Sequence, residues 1–279
     1  MRLETLAIAL CVPVLLVGCR KDDEATPDVA LTYSEAQVAI EEVSLTGEAD
    51  SIASGTIEIA TTFTIGAAVE TAAQELRDFV NSQLPCAEVS LSGSTLSVEY
   101  GVNPGNCTYR GHTYSGTHSI SIDKNGPGEV MVHHEWASLS NGTLSVTGTA
   151  DVTWSAAASS RHVVHDVTWT RLSDGRTGEG TGDRTQTPLA GGLSEGIAVD
   201  GARTWVSGGG GLWDLAIQDV EMRWADPVPE SGAYVLATPQ GKSLTMSFAR
   251  KDDDTISVTL TSGERSFTID VTRAGGGAS

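Results

Sequence analysis

The chain is short of basic residues: 17 Lys and Arg stand against 36 Asp and Glu, for a formal net charge of −19. So acidic a surface repels phosphates, which excludes nucleic acid and disfavours anionic lipid headgroups as partners. Cysteine is scarce, with four residues. Neither Cys86 nor Cys107 has a cysteine or histidine close by at ligand spacing, which argues against a zinc site. Beyond residue 18 no stretch is apolar enough to cross a bilayer, which takes ~20 residues. What the chain does have is an apolar N-terminus and a long series of alternating segments.

Met1 to Gly18 runs from a short polar start, with Arg2 and Glu4, through an apolar stretch from Leu6 to Val17. It is too short to span a membrane and has the layout of a removable signal peptide. It closes on Leu16-Val17-Gly18-Cys19, which resembles the lipobox of bacterial lipoproteins. The resemblance implies cleavage before Cys19 and a lipid on that cysteine, so that the protein is anchored to a membrane without spanning it. An ordinary secretory signal is the competing reading, and Glu4 departs from the positive start usual in such segments. Arg20-Lys21-Asp22-Asp23-Glu24 resembles the acidic tag that carries some lipoproteins to the cell surface, and equally suits a solvated tether. Arg20 replaces the aspartate that retains enteric lipoproteins in the inner membrane, which implies the outer membrane.

The cysteine arithmetic follows from this address. Cys11 leaves with the signal and Cys19 takes the lipid. Cys86 and Cys107 remain in an oxidising compartment, which predicts one disulfide. Residues 19–32, rich in Asp, Glu, Pro and Ala, read as a disordered acidic tether. Residues 33–273 read as a single β-rich domain with a helical lead-in, and 274–279 as a disordered tail. Ser34 with Gln37 suggests a capping box for a short helix ending near Val43. Ile65, Val69, Ala72, Ala73, Leu76, Phe79 and Val80 recur at helical spacing and predict a second helix over 65–83, stopped by Pro85. Residues 54–64 fit either a strand or an upstream extension of that helix.

From Val89 the period changes to two. Leu144, Val146, Gly148, Ala150, Val152 and Trp154 share one face, while Thr143, Ser145, Thr147, Thr149, Asp151 and Thr153 share the other. One buried and one wet face is the mark of an antiparallel sheet. Turn residues at Asn125-Gly126-Pro127-Gly128, Asn141-Gly142, Asp174-Gly175 and Ser262-Gly263 separate such runs. The apolar parity slips between Ile217 and Val220, which predicts a bulge near Gln218-Asp219. The expected fold is mainly β: a curved antiparallel meander sheet or incomplete barrel, with the amphipathic 65–83 helix packed on it.

Taken together, the lipobox, helical lead-in, paired cysteines and Gly/Thr/Trp-rich meander resemble a group of uncharacterised bacterial envelope lipoproteins. Cys107 leading into Gly111–Ile122, and Gly196–Trp205 followed by Leu212–Trp224, carry the likeness. It implies fold and location and no activity.

Several constellations invite a chemical reading. Gly192-Leu193-Ser194-Glu195-Gly196 matches the hydrolase nucleophile elbow, but that chemistry needs a strand, a sharp turn and a helix, and a strand-like run follows instead. Ser121-Ile122-Asp123-Lys124 lacks the helix that would bring its lysine beside its serine. His134 and His165 fall on the apolar face, two strands apart at roughly 10 Å, too far to share a metal ion. His133 and His162 fall on the opposite face, and His112 and His118 are six residues apart on one face. Asp252-Asp253-Asp254 reads as a charged turn, with calcium as the alternative. Trp136, Trp154 and Trp169 alternate with core positions, leaving Trp205, Trp213 and Trp224 as candidates for an exposed platform.

No catalytic, cofactor-binding or metal-binding residue emerges from this survey. The expected role is that of a non-enzymatic, lipid-anchored envelope protein, a binding or structural module for a protein or glycan partner. A carrier of a hydrophobic ligand or lipid in a half-barrel cavity is the alternative, and a hydrolase using Ser194 ranks third. Whether the covered face of the sheet is packed or hollow separates the first two.

Overall fold

Strand after strand closes on its sequence neighbour, because most carry an apolar face and the turns between them are short. In the computed structural model, which describes residues 30–109 and 112–273, thirteen strands form one antiparallel sheet that does not close into a barrel. The lipobox, Cys19 and the expected tail lie outside the described residues.

The sheet begins with β1 (Glu88–Ser92) and β2 (Thr95–Tyr100). A separate small hairpin, β3 (Thr108–Tyr109) with β4 (His112–Thr113), interrupts the series. The meander resumes with β5 (Ser115–Asn125), β6 (Glu129–Ser140), β7 (Leu144–Ser155), β8 (Ser160–Arg171) and β9 (Thr177–Leu189). It continues through β10 (Gly192–Ser207), β11 (Leu212–Arg223), β12 (Ser231–Ala237), β13 (Ser243–Arg250), β14 (Thr255–Ser262) and β15 (Arg265–Thr272). Apart from β2, which pairs with β5, neighbours in sequence are neighbours in the sheet. Register keeps like with like: Val152 faces Val132 on one side and Val163 on the other. The expected bulge is present. Pairing between β11 and β12 jumps from Gln218–Ala233 to Glu221–Ser231, with Asp219 at a φ of 48°.

Helix α1 (Tyr33–Ile59) is far longer than the sequence suggested. Its capping box is Thr32 with Glu35, not Ser34 with Gln37, and the Thr32 amide donates to Glu35 Oε2 at 2.7 Å. Residues 54–59 belong to its last turns and are neither a strand nor part of the second helix. The stripe that carries it past Val43 is Ala39, Glu42, Leu45, Thr46, Ala49, Ile52, Ala53, Thr56 and Ile57, all buried. At ~1.5 Å per residue the helix is about 40 Å long, enough to reach from Lys242 beside Glu35 to Arg161 beside Glu58. Gly55 allows its closest approach to the neighbouring chain: a Cβ there would lie 2.3 Å from Tyr114 Oη.

Helix α2 (Val69–Gln83) buries Ala72, Ala73, Leu76 and Val80 over β1, β2 and β5. It starts four residues later than expected, leaving Ile65 exposed in the loop before it. Both helices therefore cover one face of the sheet. Leu31 is already buried and its amide donates to Ser262 Oγ, so the folded chain begins two residues before the expected boundary. Cys86 and Cys107 are joined, with their Cα atoms 5.4 Å apart.

Strand β9 makes room for rings under α1. Gly178, Gly180 and Gly182 alternate along its helix-bearing face, where added Cβ atoms would meet Trp169, Trp205 and His165 at under 3 Å. Trp205 and Trp213 stack with centroids 6.0 Å apart, and both are buried. They are core residues and not the expected platform, because they face α1, where Trp205 Nε1 reaches Glu42. Among the described residues, no helix is long and apolar enough to cross a membrane.

Candidate functional site

Helix α1 stops before the sheet does. Beyond Ile59 the chain turns away through Thr61–Ala67, held by Asn125, whose Nδ2 donates to the carbonyls of Thr64 and Ala67. The Thr64 amide donates to Glu75 Oε2 at 2.6 Å, tying the same loop to α2. The end of the helix-bearing face is thus left uncovered over β6 to β11, and a cavity of about 450 Å³ opens there. Its walls come from the β5–β6 turn (Gly126, Pro127), Val130, Trp154, Ala156, Pro188 and Ile197, with Glu58 and Thr61 of the α1 end and Ile65 beyond. Most of this lining is apolar.

Leu193 reaches the cavity because β10 is bulged. Gly192 pairs with Leu189, and the next paired residue is Ile197 with Pro188, so residues 193–196 bow out of the β9 ladder. Bulges of this kind re-aim side chains beside binding sites. The Leu193 carbonyl then accepts from Trp224 Nε1 at 2.6 Å, which fixes the indole at the rim. Ile65, Leu193 and Trp224 are 63%, 66% and 50% exposed, three large apolar side chains around one mouth.

The polar part of the cavity is centred on Arg161. Arg161, at the start of β8, forms an ion pair with Glu58 of α1 and donates from Nε to Gln186 Oε1 at 2.7 Å. Its guanidinium carbon lies 5.9 Å from the Trp154 ring centroid. Glu129, also in the lining, is paired with Lys124. The charges of the site are therefore met within the protein.

A second polar group lies buried under α1. Asp50 accepts from Arg184 and lies 3.8 Å from both Arg203 and His165. Burial alone would raise its pKa, but the charges of Arg184 and Arg203 outweigh that and hold it well below the usual carboxylate range. His165 is pushed down to about 4 by burial, against the attraction of Asp50. Further along, Tyr100 Oη, His118 and His134 form a chain, with His118 Nε2 2.9 Å from His134 Nδ1. Burial lowers His118 to about 3 and pushes His134 well below the ordinary histidine range. Both rings are fully buried, so neither can reach a substrate in solution.

The histidines predicted from sequence thus part company. His134 and His165 are separated by Ala150, as their strand positions required. His133 and His162 lie on the outer face against Asp151 and Asp183. His112 lies beside Ser51 of α1. The contact between His118 and His134 is not readable in the sequence, because it depends on the register of β5 against β6. Ser194 is exposed within the β10 bulge, on a strand with no helix behind it, so the elbow geometry is missing. Ser121 and Lys124 both lie on β5, and Asp252–Asp254 form the turn between β13 and β14. Among the described residues, no three His, Cys, Asp or Glu side chains converge to hold a metal ion. Glu58 and Arg161 carry no signal, because nothing in the sequence joins a helix end to a strand start 103 residues on, and Ile65 reads only as the first turn of a helix. Trp224 alone of the three platform candidates is at the surface. No protein-family model, curated protein or solved structure matches the chain.

Proposed function

We propose that the protein is a non-enzymatic binding module of the cell envelope, anchored by a lipid on Cys19 at the outer membrane, and that its ligand seat is the cavity at the end of α1. The single observation carrying this is the unfilled apolar cavity ringed by exposed Ile65, Leu193 and Trp224. A smaller apolar cavity of about 170 Å³ lies between Ile40 and Val43 of α1 and strands β11 to β13, and the larger opening marks where the helix ends. Cavities of this size and lining are the usual form of small-molecule sites. Buried histidines and an exposed Ser194 on a strand argue against hydrolysis.

The carrier reading draws on the same cavity, whose volume of about 450 Å³ lies in the range of small-molecule sites. The Glu58–Arg161 ion pair within it suits a small ligand with a polar group better than an acyl chain. The test uses the chain from Arg20 onward, which contains every buried cluster of the described fold. Titration with the apolar dye N-phenyl-1-naphthylamine should give saturable fluorescence that Trp224→Ala and Leu193→Ser both weaken. Equal binding by wild type and both variants would overturn the assignment of the site.

A further inference from the structure

The charges around the cavity also say what kind of molecule it accepts, an inference that rests on the cavity being the ligand seat. Three charged side chains line it: Glu58, Glu129 and Arg161. Arg161 is engaged by Glu58 and by Gln186, with its guanidinium beside Trp154. Glu129 is engaged by Lys124. Each charge has its counter-charge in the protein, and the remaining wall is apolar apart from Thr61, Thr187 and the hydroxyls of Ser155, Ser159 and Ser160.

A ligand carboxylate or phosphate at Arg161 would either lie against the like charge of Glu58, whose side chain is 22% exposed, or displace it, and separating a covered ion pair is costly. A ligand cation would meet Arg161 at the only carboxylate that opens on the cavity without a lysine beside it. A neutral head escapes both penalties. A hydroxyl or amide can donate to the Glu58 carboxylate, which has about four lone-pair positions, and accept from the guanidinium without breaking the pair. The apolar body then lies against Val130, Ile197 and the two indoles. The net charge of −19 acts in the same direction against anions.

We infer that the site is built for a small neutral amphiphile: an apolar body seated in the cavity of about 450 Å³, with one uncharged hydrogen-bonding head placed at the Glu58–Arg161 pair. The pair acts as a selectivity filter on head charge.

The experiment compares three probes with one bicyclic body and different heads: 1-naphthalenemethanol, 1-naphthoic acid and 1-naphthalenemethylamine, each titrated calorimetrically at neutral pH. Wild type should bind the alcohol at least about tenfold more tightly than the acid or the amine, the scale expected when a covered pair must be broken. Glu58→Gln, which removes the carboxylate paired with Arg161, should invert the order between acid and alcohol. Trp224→Ala should weaken all three together. If acid and alcohol bind wild type equally, the filter is refuted while the cavity remains the ligand seat. If none of the three binds and the apolar dye does not bind either, the assignment of the cavity falls as well. The wild-type comparison does not depend on any variant folding, and a thermal melt of Glu58→Gln shows whether its inversion is read on a folded protein.

Discussion

His118 on β5 and His134 on β6 hydrogen bond to each other in the core, with Nε2 and Nδ1 2.9 Å apart. They sit diagonally across the strand pair, His118 opposite Trp136 and His134 opposite Ile120, and the rings of His118, His134 and Trp136 stack. One ring donates and the other accepts, which requires at least one neutral imidazole, because both nitrogens of a charged ring are donors.

This pair makes stability depend on pH in a definite window. The unfolded histidines titrate near 6.5, whereas His118 in the fold is lowered to about 3 and His134 lies well below its ordinary value. Between those limits the unfolded chain binds protons that the folded chain does not. Stability is therefore highest above about pH 6.5 and falls on acidification, by about 1.4 kcal/mol per pH unit for each such histidine. His165, lowered to about 4, adds to the slope. The carboxylate of Asp50 contributes in the same sense, but only below about pH 4. Urea unfolding at about pH 7, 6 and 5 should trace this decline, and His134→Leu should flatten it. A wild-type profile level across that range would contradict the account.

Asp50 holds two buried guanidinium groups. Arg184 and Arg203 are 4% and 8% exposed, and removing their shared counter-charge leaves covered charges unmatched. Asp50→Asn should cost about 3–5 kcal/mol. Asp151→Asn on the outer face, where Asp151 meets only exposed His133, should change stability by about 0.5 kcal/mol or less. Chemical denaturation of the two variants side by side checks the contrast.

The Cys86–Cys107 bond closes a loop of 21 residues between α2 and the β3–β4 hairpin. Replacing both cysteines with serine should lower stability by about 3 kcal/mol. Peptide mapping without reductant should recover the two cysteines in one linked fragment. Two free thiols in material from the periplasm would refute the bond.

The lipid anchor is tested in cells. Cys19→Ala should leave the protein unprocessed or in the soluble fraction, and inhibiting the lipoprotein signal peptidase should accumulate the precursor. Fractionation of Cys19→Ala with the outer membrane, at wild-type levels and size, would remove the anchor from the proposal.

The sheet was legible in the sequence because its signal is local. Alternation in residues 144–154, the turn residues and even the parity slip at Gln218-Asp219 depend on side chains that are neighbours in the chain. Helix α1 was not legible, since its buried stripe includes Glu42, Thr46 and Thr56, which a hydrophobic pattern does not count. Glu42 is buried only because Arg176 and Trp205 meet it, and Thr56 because Trp136 Nε1 donates to it at 2.9 Å. Those partners are 80 or more residues away. The cavity was illegible for the same reason. Trp224 and the Gly192–Gly196 segment attracted attention, but their meeting with Glu58 and Arg161 is made by the fold.

The length of α1 also fixes when the molecule can become itself. The helix leaves the ribosome first, yet Glu35 waits for Lys242 and the Leu31 carbonyl waits for Arg265, 234 residues later. The meander can zip hairpin by hairpin as it emerges, since its pairings are local. Its helix-bearing face has no lid of full length until the final hairpin arrives. The danger of sticking to other chains is thus concentrated in time, in the interval between the first strand and the last.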